Sequence, residues 1–263
     1  MKPTSLILIT ALLGLFSCKK ESNNQVIPNA NEITCRLIGQ SQEGNYQTYA
    51  YEYDSNGRIQ KMIEKWNGVE RIWYIMHYEA GRMVSREQWT HYPDAEEVFI
   101  QLDTFIYDDN GRLIEKRELM PGENNAVHLV YKYENDPNGL PISSTTYYPA
   151  NDEYWFSHKY FWENGNIVKI EDYRGNFEQL EHEWFQQYSS ALNHERILGA
   201  FPEAPQYKTV NMVKSSEAKD YTGLLDLLCN PCKTNCEVND KGLPVSIKYE
   251  WDDKPIKLEW ECE

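Results

Sequence analysis

Cysteines at three close positions form the sharpest chemical constellation in the chain, Cys229-Asn-Pro-Cys232-Lys-Thr-Asn-Cys236. A C-x-x-C pair has the spacing of a zinc site or a redox dithiol, because two nearby sulfurs can share a metal or a disulfide. A zinc site wants a further ligand close by, and every histidine lies at or before His194. A redox pair normally opens a helix that follows a strand, whereas this pair follows a candidate helix. The residues therefore predict local disulfide stapling among Cys229, Cys232 and Cys236, with no metal and no cofactor. Cys35 and Cys262 fall in the first and last predicted strands, and closure of the sheet would bring them together as another bridge. With Cys18 set apart, an odd number of cysteines remains, which leaves a thiol unpaired or shared between chains.

Other catalytic patterns are weak. There is no Gly-rich phosphate loop, H-E-x-x-H pair or G-x-S-x-G elbow. The acid pairs Glu96-Glu97 and Asp252-Asp253 read as solvated faces or turns in so acidic a chain. Asp54 and Asp108 open segments that look like calcium loops, but an EF-hand needs a Glu at the twelfth position, and Lys65 and Leu119 stand there. Aromatic residues are the richer resource, with 19 Tyr and 8 Trp. Rings on a concave face can stack on sugars, and Trp155, Phe156 and Trp162, with Tyr148 and Tyr154, are the candidate ligand patch.

One local theme recurs along the chain and must position these side chains. Tyr51-Glu-Tyr-Asp-Ser-Asn-Gly57-Arg58-Ile59 is answered by Phe105-Ile-Tyr-Asp-Asp-Asn-Gly111-Arg112-Leu113. Weaker copies centre on Gly81, Gly139, Gly165 and Gly242. Asn-Gly suits tight hairpin turns, and the flanking Tyr, Ile and Val alternate as strands. A period of about 26 residues is two strands with their turns, so the pattern predicts an antiparallel meander of roughly 12 to 16 strands. Residues 189–235 break the theme, and the run Ser215 to Leu228 predicts one short helix inserted over an open end.

The amino terminus supplies an address. Lys2, the apolar run Leu6 to Phe16 and then Ser17-Cys18 resemble a bacterial lipoprotein signal. The apolar run is shorter than the about 20 residues a membrane-spanning helix needs. The resemblance implies cleavage before Cys18, acylation of that residue and attachment to a membrane through the lipid. Lys19, Lys20 and Glu21 resemble the surface-export signal of Bacteroidetes lipoproteins, which implies the outer membrane and its outer face, with the periplasmic face as the alternative. Residues 18–32 are polar and read as a tether.

The hairpin copies themselves resemble the YD repeats of RHS-type proteins, and the whole chain is similar to uncharacterised Bacteroidetes lipoproteins of porin-like or barrel-like form. That resemblance implies a strongly curved sheet and brings no catalytic residues. The net charge of −15 argues against nucleic acid, whose binding is driven by Lys and Arg. The sequence thus predicts an all-β domain over 33–263, an open or partly closed barrel with a helix-containing insertion. Its function is expected to be non-enzymatic binding of a glycan or another extracellular ligand. The alternatives are a module that docks on an envelope protein and, ranked last, a hydrolase.

Overall fold

The structure, a computed structural model, describes residues 35–43, 47–91, 96–123, 126–192, 202–203, 205, 211–221, 232–241, 243–250 and 253–262. Eight strands make the first half: β1 (Cys35–Gln42), β2 (Gln47–Tyr53), β3 (Ile59–Trp66), β4 (Val69–Glu79), β5 (Arg82–Thr90), β6 (Val98–Tyr107), β7 (Leu113–Met120) and β8 (Ala126–Asn135). Eight more complete it: β9 (Pro141–Tyr148), β10 (Glu153–Glu163), β11 (Asn166–Arg174), β12 (Gln179–Leu192), β13 (Asn211–Asp220), β14 (Cys232–Val238), β15 (Pro244–Tyr249) and β16 (Ile256–Cys262). Each strand pairs antiparallel with its sequence neighbours, and β1 pairs with β16, so the sheet closes into a barrel.

Two expectations are corrected here. The barrel is closed, not open or partly closed, because Cys35 to Gln42 runs in register with Cys262 to Ile256. Register shifts recur beside the repeat turns, between Glu52 and Tyr53, His77 and Tyr78, Ile106 and Tyr107, and Glu134 and Asn135. Such bulges bend and twist a strand, which lets a meander curl until its edges meet. The helix-containing insertion is also wrong: the described part of the supposed helix, Ser215 to Asp220, belongs to β13, and the rest lies outside the described residues. Pairing with β12 overrides its modest helix propensity, and Met212 and Ala218 bury into the barrel. No α-helix occurs among the described residues.

The repeat turns share one construction. Asp54 Oδ1 accepts hydrogen bonds from the backbone N–H of Asn56 and of Arg58, each at 2.9 Å. Its Oδ2 accepts from the Arg58 guanidinium at 2.6 and 2.8 Å. Asp108 repeats this with Asn110 and Arg112. Only the glycine enters the left-handed region in these turns, with φ of 76° at Gly57 and 78° at Gly111. That is a type I turn followed by a left-handed glycine, whereas Asn67-Gly68 and Asn164-Gly165 are two-residue turns with positive φ at both positions. The aspartates that opened the calcium-like segments are therefore spent on backbone N–H groups and arginine.

The repeated aromatic has an equally regular task. Tyr53 donates its hydroxyl proton to Leu37 O, Tyr78 to Ile59 O, Tyr107 to Met83 O and Tyr188 to Ile167 O, at 2.6 to 2.9 Å. Trp162 and Trp260 donate indole N–H to Pro141 O and Pro244 O. The accepting residue follows a repeat turn or, for Leu37, starts the barrel, and its side chain points inward. Leu37, Ile59 and Ile167 are wholly buried, as are Leu243 and Pro244 in the last copy. Leu37, Ile59, Met83 and Leu113 join Met212, Ile247 and Leu258 in one cluster. Side chains from strands far apart around the ring can meet only in its interior. Burying each large aliphatic side chain contributes about 1.5–3 kcal/mol, so this end of the barrel, the repeat end, is sealed by its own core.

Candidate functional site

The opposite end of the barrel carries the other set of turns, and there apolar side chains face out. Trp66, Val69, Val98, Tyr154, Trp155 and Tyr221 are all exposed. Trp155 occupies the bulge of β10 between Tyr154 and Phe156. Its ring lies 4.5 Å from Phe156 and 5.7 Å from Tyr148, and Tyr148 meets His128 edge-on at 5.7 Å. Offset and edge-to-face geometry is how rings attract beyond simple burial. Trp155 keeps 44% of its surface in water within this stack.

The five patch residues therefore separate. Tyr148, Trp155 and Phe156 form one aromatic platform. Tyr154 packs on Tyr147 at 5.5 Å instead, because successive strand residues point to opposite faces. Trp162 lies at the repeat end, tied to Pro141, and serves the frame. Cys35 and Cys262 form a disulfide across the closing β1–β16 pair. Cys236 carries a free thiol and so belongs to no staple. Burial, aided by the carboxylate of Glu237, pushes its pKa up to about 11. Cys18 and Cys229 lie outside the described residues, and Cys232 starts β14 opposite Ser216. Among the described residues, no group of three His, Cys, Asp or Glu side chains is placed to hold a metal ion.

Sequence reasoning missed the charges in the lumen. Arg86 of β5 contacts Asp103 of β6 at 2.5 Å and Glu203 at 2.6 Å. Lys116 of β7 holds Glu118 at 2.7 Å and stands 3.7 Å from Asp103 and 3.9 Å from Glu203. All five side chains are nearly buried. Burial works against the Arg86 charge, but Glu203 and Asp103 outweigh it and hold its pKa above the usual value. Glu203 lies between β12 and β13 in the chain, and its side chain reaches into the barrel. A signal was present: Arg86, Asp103, Lys116 and Glu118 fall on strands whose inward face also carries Met83, Phe105 and Leu113, and Glu203 sits in Phe201-Pro-Glu-Ala-Pro205.

The outer wall is equally informative. On the face turned away from the core, Lys61 lies over Trp73 at 4.1 Å, Lys132 over Tyr147 at 4.9 Å and Lys169 over Phe161 at 4.1 Å. Lys159 covers Tyr173, and Lys219 covers Phe185. Charged ammonium groups thus lie on aromatic faces around the outer wall, with Lys132 and Lys219 the more exposed.

The fold resembles solved structures at low sequence identity. A porin-like protein from Bacteroides uniformis superposes with a TM-score of 0.53 at 10% identity, covering 87% of this chain and 96% of its own. A porin-like protein from Bacteroides vulgatus gives a TM-score of 0.52 at 13% identity, covering 86% and 98%. The likeness is one of fold, an antiparallel barrel of this size. No protein-family model matches the sequence, and no curated protein is detectably similar to it.

Proposed function

We propose that this chain is a lipid-anchored protein of the bacterial cell envelope whose barrel stands in water and binds an extracellular glycan at its aromatic end. The observation that carries the reading is Trp155, half exposed on the Tyr148–Phe156 platform, at the end of the barrel opposite the sealed core. Stacked rings offer flat apolar faces to the C–H side of a sugar, while polar neighbours meet its hydroxyls.

The outer wall supports attachment by lipid rather than by the barrel itself. In a membrane-spanning barrel the outward face is an apolar band, and each Lys at mid-bilayer costs about 2–4 kcal/mol. Lys61, Lys132, Lys159, Lys169 and Lys219 all stand on that face here. Acyl chains on Cys18 would then hold the protein to the outer membrane, on its outer face. Closure favours the ligand reading over docking by strand addition, since a closed barrel offers no free edge to a partner strand.

The test is a glycan array and polysaccharide retardation gel on the soluble chain from Glu32, compared with Trp155→Ala and Trp162→Ala. The reading expects polysaccharide retardation that Trp155→Ala abolishes and that a folded Trp162→Ala retains. Absence of any glycan binding would overturn it. Failure of Cys18→Ala to release the protein from membranes would sink the anchor.

A further inference from the structure

On the outside of the barrel the turn between β11 and β12 folds back across the wall. Gly175 N–H donates to Trp155 O at 3.1 Å, and the Ser157 hydroxyl donates to Gly175 O at 2.5 Å. Ser157 is wholly buried beneath the turn, although it lies on the outward face of β10. The turn thereby holds Phe177 beside a groove of about 520 Å³ that runs over the outer faces of β6 to β9. This is within the range of roughly 300–1,000 Å³ found for small-ligand clefts.

Phe177 has a φ of 58°. A bulky residue in the left-handed region is a genuine outlier, and such strain persists where the surroundings impose it, commonly at ligand-binding positions. The ring packs edge-on against Tyr173 at 5.5 Å and lies under Lys159 at 5.3 Å, so the strained turn holds it in a fixed place at the groove. Tyr154, 39% exposed, lines the same groove. Ile106 and Ile114 give the floor an apolar strip.

The polar lining is balanced. Glu115 accepts from Arg117 Nε at 2.5 Å, Glu134 accepts from the Ser143 hydroxyl at 2.8 Å, and Lys132 lies over Tyr147. Two carboxylates face two cations, in a chain whose net charge is −15. A charged ligand would unbalance these groups, whereas a neutral polyol can use acceptors and donors at once. Rings at the sides complete the requirement for the C–H faces of a sugar.

We infer that this groove is a second saccharide site, taking a neutral sugar of about disaccharide size against the rings of Tyr154 and Phe177. It rests on the glycan reading above for its ligand class, but not for its residues.

The test is ligand-observed NMR with cellobiose and lactose as neutral probes and glucuronic acid as a charged control. It uses the soluble chain, Trp155→Ala, Phe177→Gly and Tyr154→Ala. Phe177→Gly relieves the backbone strain but removes the ring's contacts with Tyr173 and Lys159, and a cooperative melting transition shows that the variant is folded. The inference expects a neutral disaccharide to bind the parent and Trp155→Ala alike. It expects binding about tenfold weaker or worse in Phe177→Gly and Tyr154→Ala. Binding that survives Phe177→Gly but not Trp155→Ala overturns the groove and leaves the platform standing. Loss of disaccharide binding only in the groove variants upholds the groove, and the platform is decided separately by whether Trp155→Ala abolishes polysaccharide retardation. Binding to no neutral disaccharide, or equal binding of glucuronic acid, overturns the groove.

Discussion

The two ends of this barrel are made from the same strands and solve opposite problems. At the repeat end Asp54, Asp108 and Asp136, and Asn239 in the last copy, cap their own turns, and the residue that follows is driven inward. A tyrosine or tryptophan on the neighbouring strand then satisfies that residue's carbonyl. At the far end the turns differ from one another, and aromatic side chains remain in solvent. Repetition is thus concentrated where the frame is built, and variation where surface is displayed. Loops that carry function on a rigid scaffold follow the same division.

The largest effect should come from opening the seal. Ile59→Ala removes a wholly buried side chain and should cost about 2–5 kcal/mol in chemical denaturation. Trp66→Ala at the far end should cost under about 1 kcal/mol. Equal losses would erase the distinction between the ends. Replacing both Cys35 and Cys262 by Ser should cost about 2–4 kcal/mol, because the bridge closes nearly the whole described chain into a loop.

Tyr78→Phe tests the carbonyl ties. It leaves Ile59 O without its donor and should cost about 1–2 kcal/mol, whereas Tyr154→Phe should be silent. The phenols of Tyr53, Tyr78 and Tyr107 add a pH signature, since burial pushes each up to about 12. A phenol whose pKa is raised on folding contributes stability that is full below about pH 10, its unfolded value. That contribution is lost as the pH rises through 12. Tyrosinate absorbance and unfolding should therefore appear together in alkali, and tyrosines ionising well before unfolding would refute the ties. The smallest contrast lies between glycines. Gly111→Ala meets both a left-handed φ and the Arg82 guanidinium lying across it, and Gly68→Ala meets only the φ. Gly111→Ala should be the more destabilising, by about 1 kcal/mol, read as a difference in denaturation midpoint.

The repeat end was legible because its chemistry is local. Asp, Asn, Gly and Arg within five positions specify a turn without help from the rest of the chain, and alternation supplies the strands beside it. Closure was legible only through Cys35 and Cys262 in the first and last strands, since the pairing of those strands spans almost the entire domain and no local pattern requires it. Ser215 to Asp220 misled for the converse reason: its residues accept a helix, and only β12 and β14 make them a strand. The aromatic patch divided because a bulge at Trp155 and the alternation of β10 decide which ring faces which side. Neither is written in the number of aromatics. Phe177 was invisible, since nothing in Gly175-Asn-Phe-Glu178 announces a strained backbone.

The bridge between Cys35 and Cys262 also has a mechanical meaning. Tension arriving from the amino terminus enters the fold at Cys35, where the weakest response of a sheet would be to peel off its first strand one hydrogen bond at a time. The covalent link passes that load at once to the last strand, so two strands anchored on opposite neighbours must yield together. A barrel pulled from that point bears the strain in shear around its circumference.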